Sequence, residues 1–388
     1  MKKGLKYTLL VLLILNLLIV LTGNTYLYKT LYYNVANIDD YKIFEQRKIE
    51  ASKGVEWPVS SHYNKVAAPA YLNKELEKLK SIAYLVIQDD SVFYEAYWDG
   101  YGQESISNSF SVAKSVVGIL IGIAIDEGKI KSLDQSVGDF LPSFKEGKMA
   151  AIRIRDVVSM SAGLDWDEAY MNPFSATSKA YYGTDLPAMV NGLKAADEPG
   201  KIFRYHSINT EVLGMLLEKA VGMKLSEYAS EKLWKPLEAM HDASWSLDKK
   251  DGMEKAYCCF YSNARDFARL GALYLHNGNW KGKQIVSSEY VKQSVTPANI
   301  KMIDGKQNDC YGFAWWIIPD YNGHYVFYAR GIQGQYIAVI PDTKTIVVRL
   351  GNKRGEKIGN HCEDLFVYLD AALEMTGNTQ KNAAVAMK

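Results

Sequence analysis

Between Val112 and Ile125 the chain reads VAKSVVGILIGIAI, and after its first few residues every position is Val, Ile, Leu, Ala or Gly. A helix of this composition is apolar on all sides, so it is stable only when surrounded, and the chain must build a large body around it. The polar exceptions, Ser111, Lys114 and Ser115, sit together at its start. Burying a hydroxyl and an ammonium without partners is costly, so something nearby must use or satisfy them. Three residues apart, Ser111 and Lys114 share one helix face, with the hydroxyl at the end where the helix dipole favours developing negative charge. A serine nucleophile beside a lysine base needs this arrangement. The same four letters also suit a helix cap at Ser111 and a Lys114 stem running over apolar neighbours to water, so the context has to decide.

Length and composition set the frame. With 388 residues, 48% hydrophobic and 23% charged, the chain is ordinary globular material sufficient for one large domain or two lobes. A net charge of +1 and the lack of a long charge run give no reason to expect nucleic acid or a polyanionic partner. The first residues differ. Lys2, Lys3 and Lys6 precede an apolar run from Leu9 to Leu21 broken only by Asn16, a basic segment followed by a hydrophobic one that directs export. No convincing small-residue cleavage site follows. The run can be extended through Tyr26 and Leu27 to bilayer length with Tyr26 and Tyr28 as interfacial aromatics, which favours an uncleaved anchor over a removed signal peptide. In either case the lysines stay cytoplasmic and the rest of the chain is outside. Cys258 and Cys259 are adjacent, only Cys310 and Cys362 remain, and buried free thiols are expected for all four. The histidines form no pair at metal-ligand spacing, so neither a structural metal nor a cofactor is expected.

Along the chain, residues 1–28 form the anchor or signal segment and residues 29–69 an extended lead-in. AYLVIQDDSVFYEAYW reads as a hairpin turning at Gln88–Ser91. Helices are expected at Lys224–Lys232, Ala264–Leu275 and Glu363–Glu374, and β-type runs such as YVFYAR, QYIAVI and TIVVRL fill the last third. Strands at both ends with helices between them give an α+β fold, an antiparallel sheet built from both chain ends and flanked by helices, with an inserted mainly helical lobe.

Three elements then fall in order. SVAK follows a hairpin, Y-x-S-x-N (Tyr205, Ser207, Asn209) stands at a helix mouth, and a Gly-rich strand runs from Ala329 to Gln335. With the phrases IRDVVSMSAGLDWDE, EPGKIFRYHSINTEVLG and ARDFARLGALYLHNGNWKGKQIV, this order resembles the serine β-lactamase and penicillin-binding protein superfamily. Within it the chain is most similar to the class C-like branch and its 6-aminohexanoate-dimer hydrolases, and residues 70–388 are read as that hydrolase domain. The resemblance implies Ser111 as the acylated nucleophile, Lys114 as the base beside it and Tyr205 as a phenolic acid/base. It also implies an oxyanion hole from the backbone N–H groups of Ser111 and Ile332. Tyr170, Ser207, Asn209, Arg330, Gly331 and Gln335 are its weaker substrate-binding candidates. The chemistry is coherent in itself, because burial disfavours the lysine cation, a nearby cation favours a tyrosinate, and such a pair can exchange one proton near neutral pH.

One departure is informative. The family's third motif, usually Lys-Thr-Gly or His-Thr-Gly, reads Ala329-Arg330-Gly331 here. Losing a cation at Ala329 removes a group that holds a substrate carboxylate in penicillin-recognising relatives. The expectation is therefore an exported, membrane-tethered serine hydrolase acting on a small-molecule amide or ester, with the catalytic domain outside the cytoplasm. A β-lactamase, D-alanyl carboxypeptidase or esterase proper is the alternative within the family. A catalytically silent module binding peptidoglycan or a partner is the alternative outside enzymes.

Overall fold

The computed structural model describes residues 2–379; Met1 and residues 380–388, the end of the expected hydrolase domain, lie outside the described residues. Helix α1, Lys2–Leu21, is exposed along most of its length and apolar enough to cross a membrane. At 1.5 Å per residue it spans about 30 Å, the thickness of a hydrocarbon core. The apolar run does not continue through Tyr26 and Leu27 as one helix. Gly23 takes a positive φ of 69°, and the chain turns into a second helix, α2, Tyr26–Tyr33. Tyr26 and Leu27 are buried against Tyr181, Tyr182 and Tyr257, and Ile19 of α1 packs on the same cluster. Tyr26 is therefore a packing residue where an interfacial aromatic was expected. Tyr28 stays exposed, and its hydroxyl donates to Asn16 of α1.

The stretch read as an extended lead-in contains more structure than its composition suggests. Strand β1, Gln46–Ile49, pairs antiparallel with Ala243–Ser246 in a four-stranded sheet completed by Phe260–Ser262 and Ser107–Asn108. Arg47 of β1 meets the buried Glu254 at 2.7 Å. The Trp57 indole is buried and donates to the Arg265 carbonyl at 2.8 Å.

The main sheet has six antiparallel strands. After helix α3, Ala70–Lys78, come β2, Ser81–Gln88, and β3, Ser91–Tyr97. The order is β3, β2, then Thr345–Gly351, Gln335–Ile340, His324–Gly331 and Trp316–Tyr321, so the sheet is built from both chain ends. Asp89 and Asp90 both take positive φ, 44° and 58°, the left-handed turn whose twist matches a hairpin. Alternate residues of β2 face opposite layers. Tyr84 and Val86 pack with α3 and the last helix, Glu363–Met375, while Leu85 and Ile87 pack with the layer that contains helix α4, Val112–Asp126. Between the sheet-forming ends lies the mainly helical insertion, whose Ile208–Val221 helix packs on α4.

Every side chain of α4 from Val112 to Ala124 is buried, as its all-round apolar surface requires. Its glycines allow close approach: a Cβ at Gly122 would stand 2.4 Å from the Tyr290 ring. The cysteines differ from expectation in one respect. Cys310 and Cys362 are buried free thiols, but Cys258 and Cys259 are joined in a disulfide. The left-handed backbone at Cys259, φ 63°, belongs to the tight turn in which these neighbours meet.

Candidate active site

Ser111 is placed by a backbone held in an unfavourable conformation. Phe110, which precedes it, has φ 45°, uncommon for a bulky residue, and its N–H donates to the buried Asn108 Oδ1 at 2.9 Å. The chain thus turns sharply from the short Ser107–Asn108 strand into α4, leaving Ser111 at the helix start. The Ser111 side chain makes no capping bond, so the cap reading fails. Lys114 does not run to water either. Its Nζ is buried, 2.9 Å from Ser111 Oγ and 2.8 Å from the Tyr257 carbonyl, and stands 5.3 Å from the Tyr205 ring centre.

Burial lowers the Lys114 pKa to about 8, with Glu168 and Glu211 opposing the shift. Tyr205 moves the other way. Burial pushes its phenol up to about 12, against the opposing influences of its hydrogen-bonding contact with Ser111 and of Arg330. The two shifts bear on the resting state of the expected exchange of one proton between them. Desolvation outweighs the nearby cations at Tyr205, so the phenol keeps its proton and the lysine amine is the group that can be neutral.

The other side of Ser111 is formed by the end of the His324–Gly331 strand. A Cβ on Gly331 would fall 2.2 Å from the Ser109 carbonyl, so only glycine lets this strand pass so close. The N–H groups of Ser111 and Ile332 have no protein acceptor among the described residues. Both residues line a cavity of about 550 Å³, with Tyr170, Ser207 and Cys258. Two clefts of similar extent, one running from Arg155 to Asn299 and one beside Trp57 and His276, hold no serine hydroxyl paired with a buried amine.

The weaker candidates divide. Tyr170 and Ser207 reach the cavity. Both are held by a residue that sequence reasoning missed, Glu168, which accepts from Tyr170 Oη at 2.5 Å, from Ser207 Oγ at 2.5 Å and from Ser207 N–H at 2.7 Å. The Tyr170 ring is exposed, while its hydroxyl is turned inward and held protonated by burial and by Glu168. Asn209 donates to the His206 carbonyl at 3.0 Å and leaves its buried Oδ1 without a partner. Arg330 lies 3.7 Å from the Trp316 ring centre and donates to the Asn360 carbonyl, and it does not line the cavity. Gln335 is buried and ties Ile332 to Gly351 through its amide. Among the described residues no cluster of His, Cys, Asp or Glu side chains is arranged to hold a metal.

A hydroxyl beside a buried amine, a tyrosine whose ring lies 5.3 Å from that amine and two N–H groups beside a cavity form a set suited to acyl transfer. Comparisons agree with this architecture. The family model described as Beta-lactamase matches residues 71–365. The chain is 26% identical to the 6-aminohexanoate-dimer hydrolase of Paenarthrobacter ureafaciens over 298 residues, 72% of this chain and 75% of that protein. A putative 6-aminohexanoate-dimer hydrolase from Bacillus anthracis superposes with a TM-score of 0.74 at 21% identity, covering 87% of this chain and 92% of that one. The octameric penicillin-binding protein homologue from Pyrococcus abyssi gives a TM-score of 0.63 at 21% identity over 80% of this chain and 77% of its own.

Proposed function

Because the chain belongs to the β-lactamase family, whose serine hydrolase fold it has, we propose that it is a membrane-tethered hydrolase cleaving an amide or ester through an acyl-enzyme on Ser111. Lys114, as the neutral amine, takes the proton from Ser111 Oγ while that oxygen adds to the substrate carbonyl. The negative charge that develops on the carbonyl oxygen is received by the N–H groups of Ser111 and Ile332. Tyr205, a phenol at rest, passes its proton to the leaving group and is reprotonated through Lys114. Water then releases the acid. Ser207 and Tyr170, oriented by Glu168, contact the substrate at the cavity wall. Residues 1–28 act as a retained anchor, residues 29–69 as a segment leading into the body, and residues 70–388 as the hydrolase domain outside the cytoplasm.

The observation that carries this reading is the 2.9 Å contact between Lys114 Nζ and Ser111 Oγ beside a cavity. Ala329 offers no cation where penicillin-recognising relatives carry one to hold a carboxylate, which favours simple amides and esters over β-lactams. The test is to treat the full-length protein with a fluorophosphonate probe and to assay a short nitrophenyl ester, a linear aminohexanoate dimer and a chromogenic cephalosporin. Labelling at Ser111 with ester or dimer turnover supports the proposal. Fast cephalosporin turnover makes the protein a β-lactamase, and no labelling of the folded protein makes it a binding module.

A further inference from the structure

The cavity wall beside Ser111 is made in part by the segment that joins the anchor to the body. Thr30, Leu31, Asn34 and Val35 line it together with Ser111 and Met171. This wall is fixed on both sides. Thr30 is buried, Tyr33 stacks on Tyr182 with ring centres 6.3 Å apart, and the Gln333 side chain, next to Ile332, donates to the Ala36 carbonyl at 2.5 Å. The same cluster that takes Tyr26 and Leu27 also takes Ile19 of α1, so the end of the hydrophobic helix rests on the body beside the cavity. Around the mouth the apolar side chains are uncovered: Leu31 is 71% exposed, Met171 78% and Val35 43%. Apolar surface gathered at one place and left in water is unfavourable, and this rim lies on the same face of the body as the end of α1 that packs through Ile19. Lys353 and Arg354 stand on the same cavity, so its lining is apolar in one part and cationic in another, the pattern of a site for an amphiphile.

We propose that the cavity draws its substrate from the bilayer, and that this substrate is an amphiphile carrying a long acyl chain in ester or amide linkage. The proposal rests on the serine-hydrolase reading of the same site. The chain lies along Leu31, Val35 and Met171, with its carbonyl carbon at Ser111 Oγ. Ser111 Oγ forms a bond to that carbon as its proton passes to Lys114. The C–O or C–N bond to the head breaks, and the head leaves as alcohol or amine with the proton. Water then cleaves the acyl-serine to a free fatty acid, so one water is consumed per bond and no oxidant or reductant is required.

The experiment uses the full chain reconstituted in phosphatidylcholine vesicles containing nitrophenyl palmitate or supplied with nitrophenyl acetate, with fluorophosphonate labelling of Ser111 measured in parallel. Palmitate is expected to be turned over with at least about tenfold higher kcat/KM than acetate. The double variant Leu31→Asp, Val35→Asp is expected to lower the palmitate-to-acetate ratio by about tenfold, since an acyl chain does not pack on carboxylates. Its labelling rate reports whether the Ser111 site remains intact. If Ser111 labels but palmitate is no better than acetate, or if the double variant leaves the ratio unchanged while labelling normally, the bilayer-substrate proposal is overturned and the hydrolase reading stands. If Ser111 does not label in the folded wild-type protein, both fall together.

Discussion

Ser111 and Lys114 owe their chemistry to what surrounds them. Burial disfavours the charge of Lys114 and lowers its pKa to about 8, which is what the proposed role as a base requires. Below that pH it is protonated and cannot take the serine proton, so kcat/KM for a neutral ester is expected to rise with pH through a midpoint of about 8. A flat profile from pH 6 to 9 excludes Lys114 as the base. Glu168 raises the lysine pKa, so Glu168→Gln is expected to move that midpoint to lower pH, a shift that a purely structural role in holding Ser207 would not produce. Ser111→Ala and Lys114→Ala should each lower turnover at least about a thousandfold while leaving the circular-dichroism spectrum unchanged. That Ser111 and Lys114 share a helix face was legible in the sequence, because an otherwise apolar helix makes its three polar residues, Ser111, Lys114 and Ser115, conspicuous. Glu168 was not, since one carboxylate among several in an irregular segment carries no periodic signal, and its partners Tyr170 and Ser207 come from different parts of the chain.

At the scale of elements, patterning decides what can be read in advance. The β2–β3 hairpin, the Ala264–Leu275 helix and the last helix fall within a residue or two of their expected bounds, because each carries a strong local signal. Strand β1 does not, because its reason for existing is a partner at Ala243–Ser246, far along the chain, and its own residues show no alternation. The joined Cys258 and Cys259 were illegible for a related reason: adjacency alone does not reveal the left-handed turn at Cys259. In α4 the close fit makes a direct prediction. Gly122→Val places a branched side chain into the Tyr290 ring and Val286, and is expected to destabilise the protein by about 1–3 kcal/mol, measured by thermal or urea unfolding in detergent. An unchanged midpoint would mean that the neighbouring Ser288–Ser294 helix yields more readily than its packing implies.

Across the whole molecule, distant segments complete one another. Arg47, in the segment that follows the N-terminal helices, reaches Glu254, three residues before the Tyr257 carbonyl that accepts from Lys114. Arg47→Met strands a buried carboxylate, and the expected loss is about 3 kcal/mol, with part of it recovered in the Arg47→Met, Glu254→Gln double variant. Full additivity of the two changes would show that the pair is not coupled. The six-stranded sheet has a comparable dependence: β2 lies between β3 and the Thr345–Gly351 strand, so its second neighbour comes from the far end of the chain. During synthesis β2 must wait for that neighbour, and pairings between such remote segments form slowly. Ile332, which lines the cavity with Ser111, is made late as well. A half-finished polypeptide thus carries Ser111 long before Ile332 exists, and on the proposed reading it becomes competent only when its last third has joined the sheet.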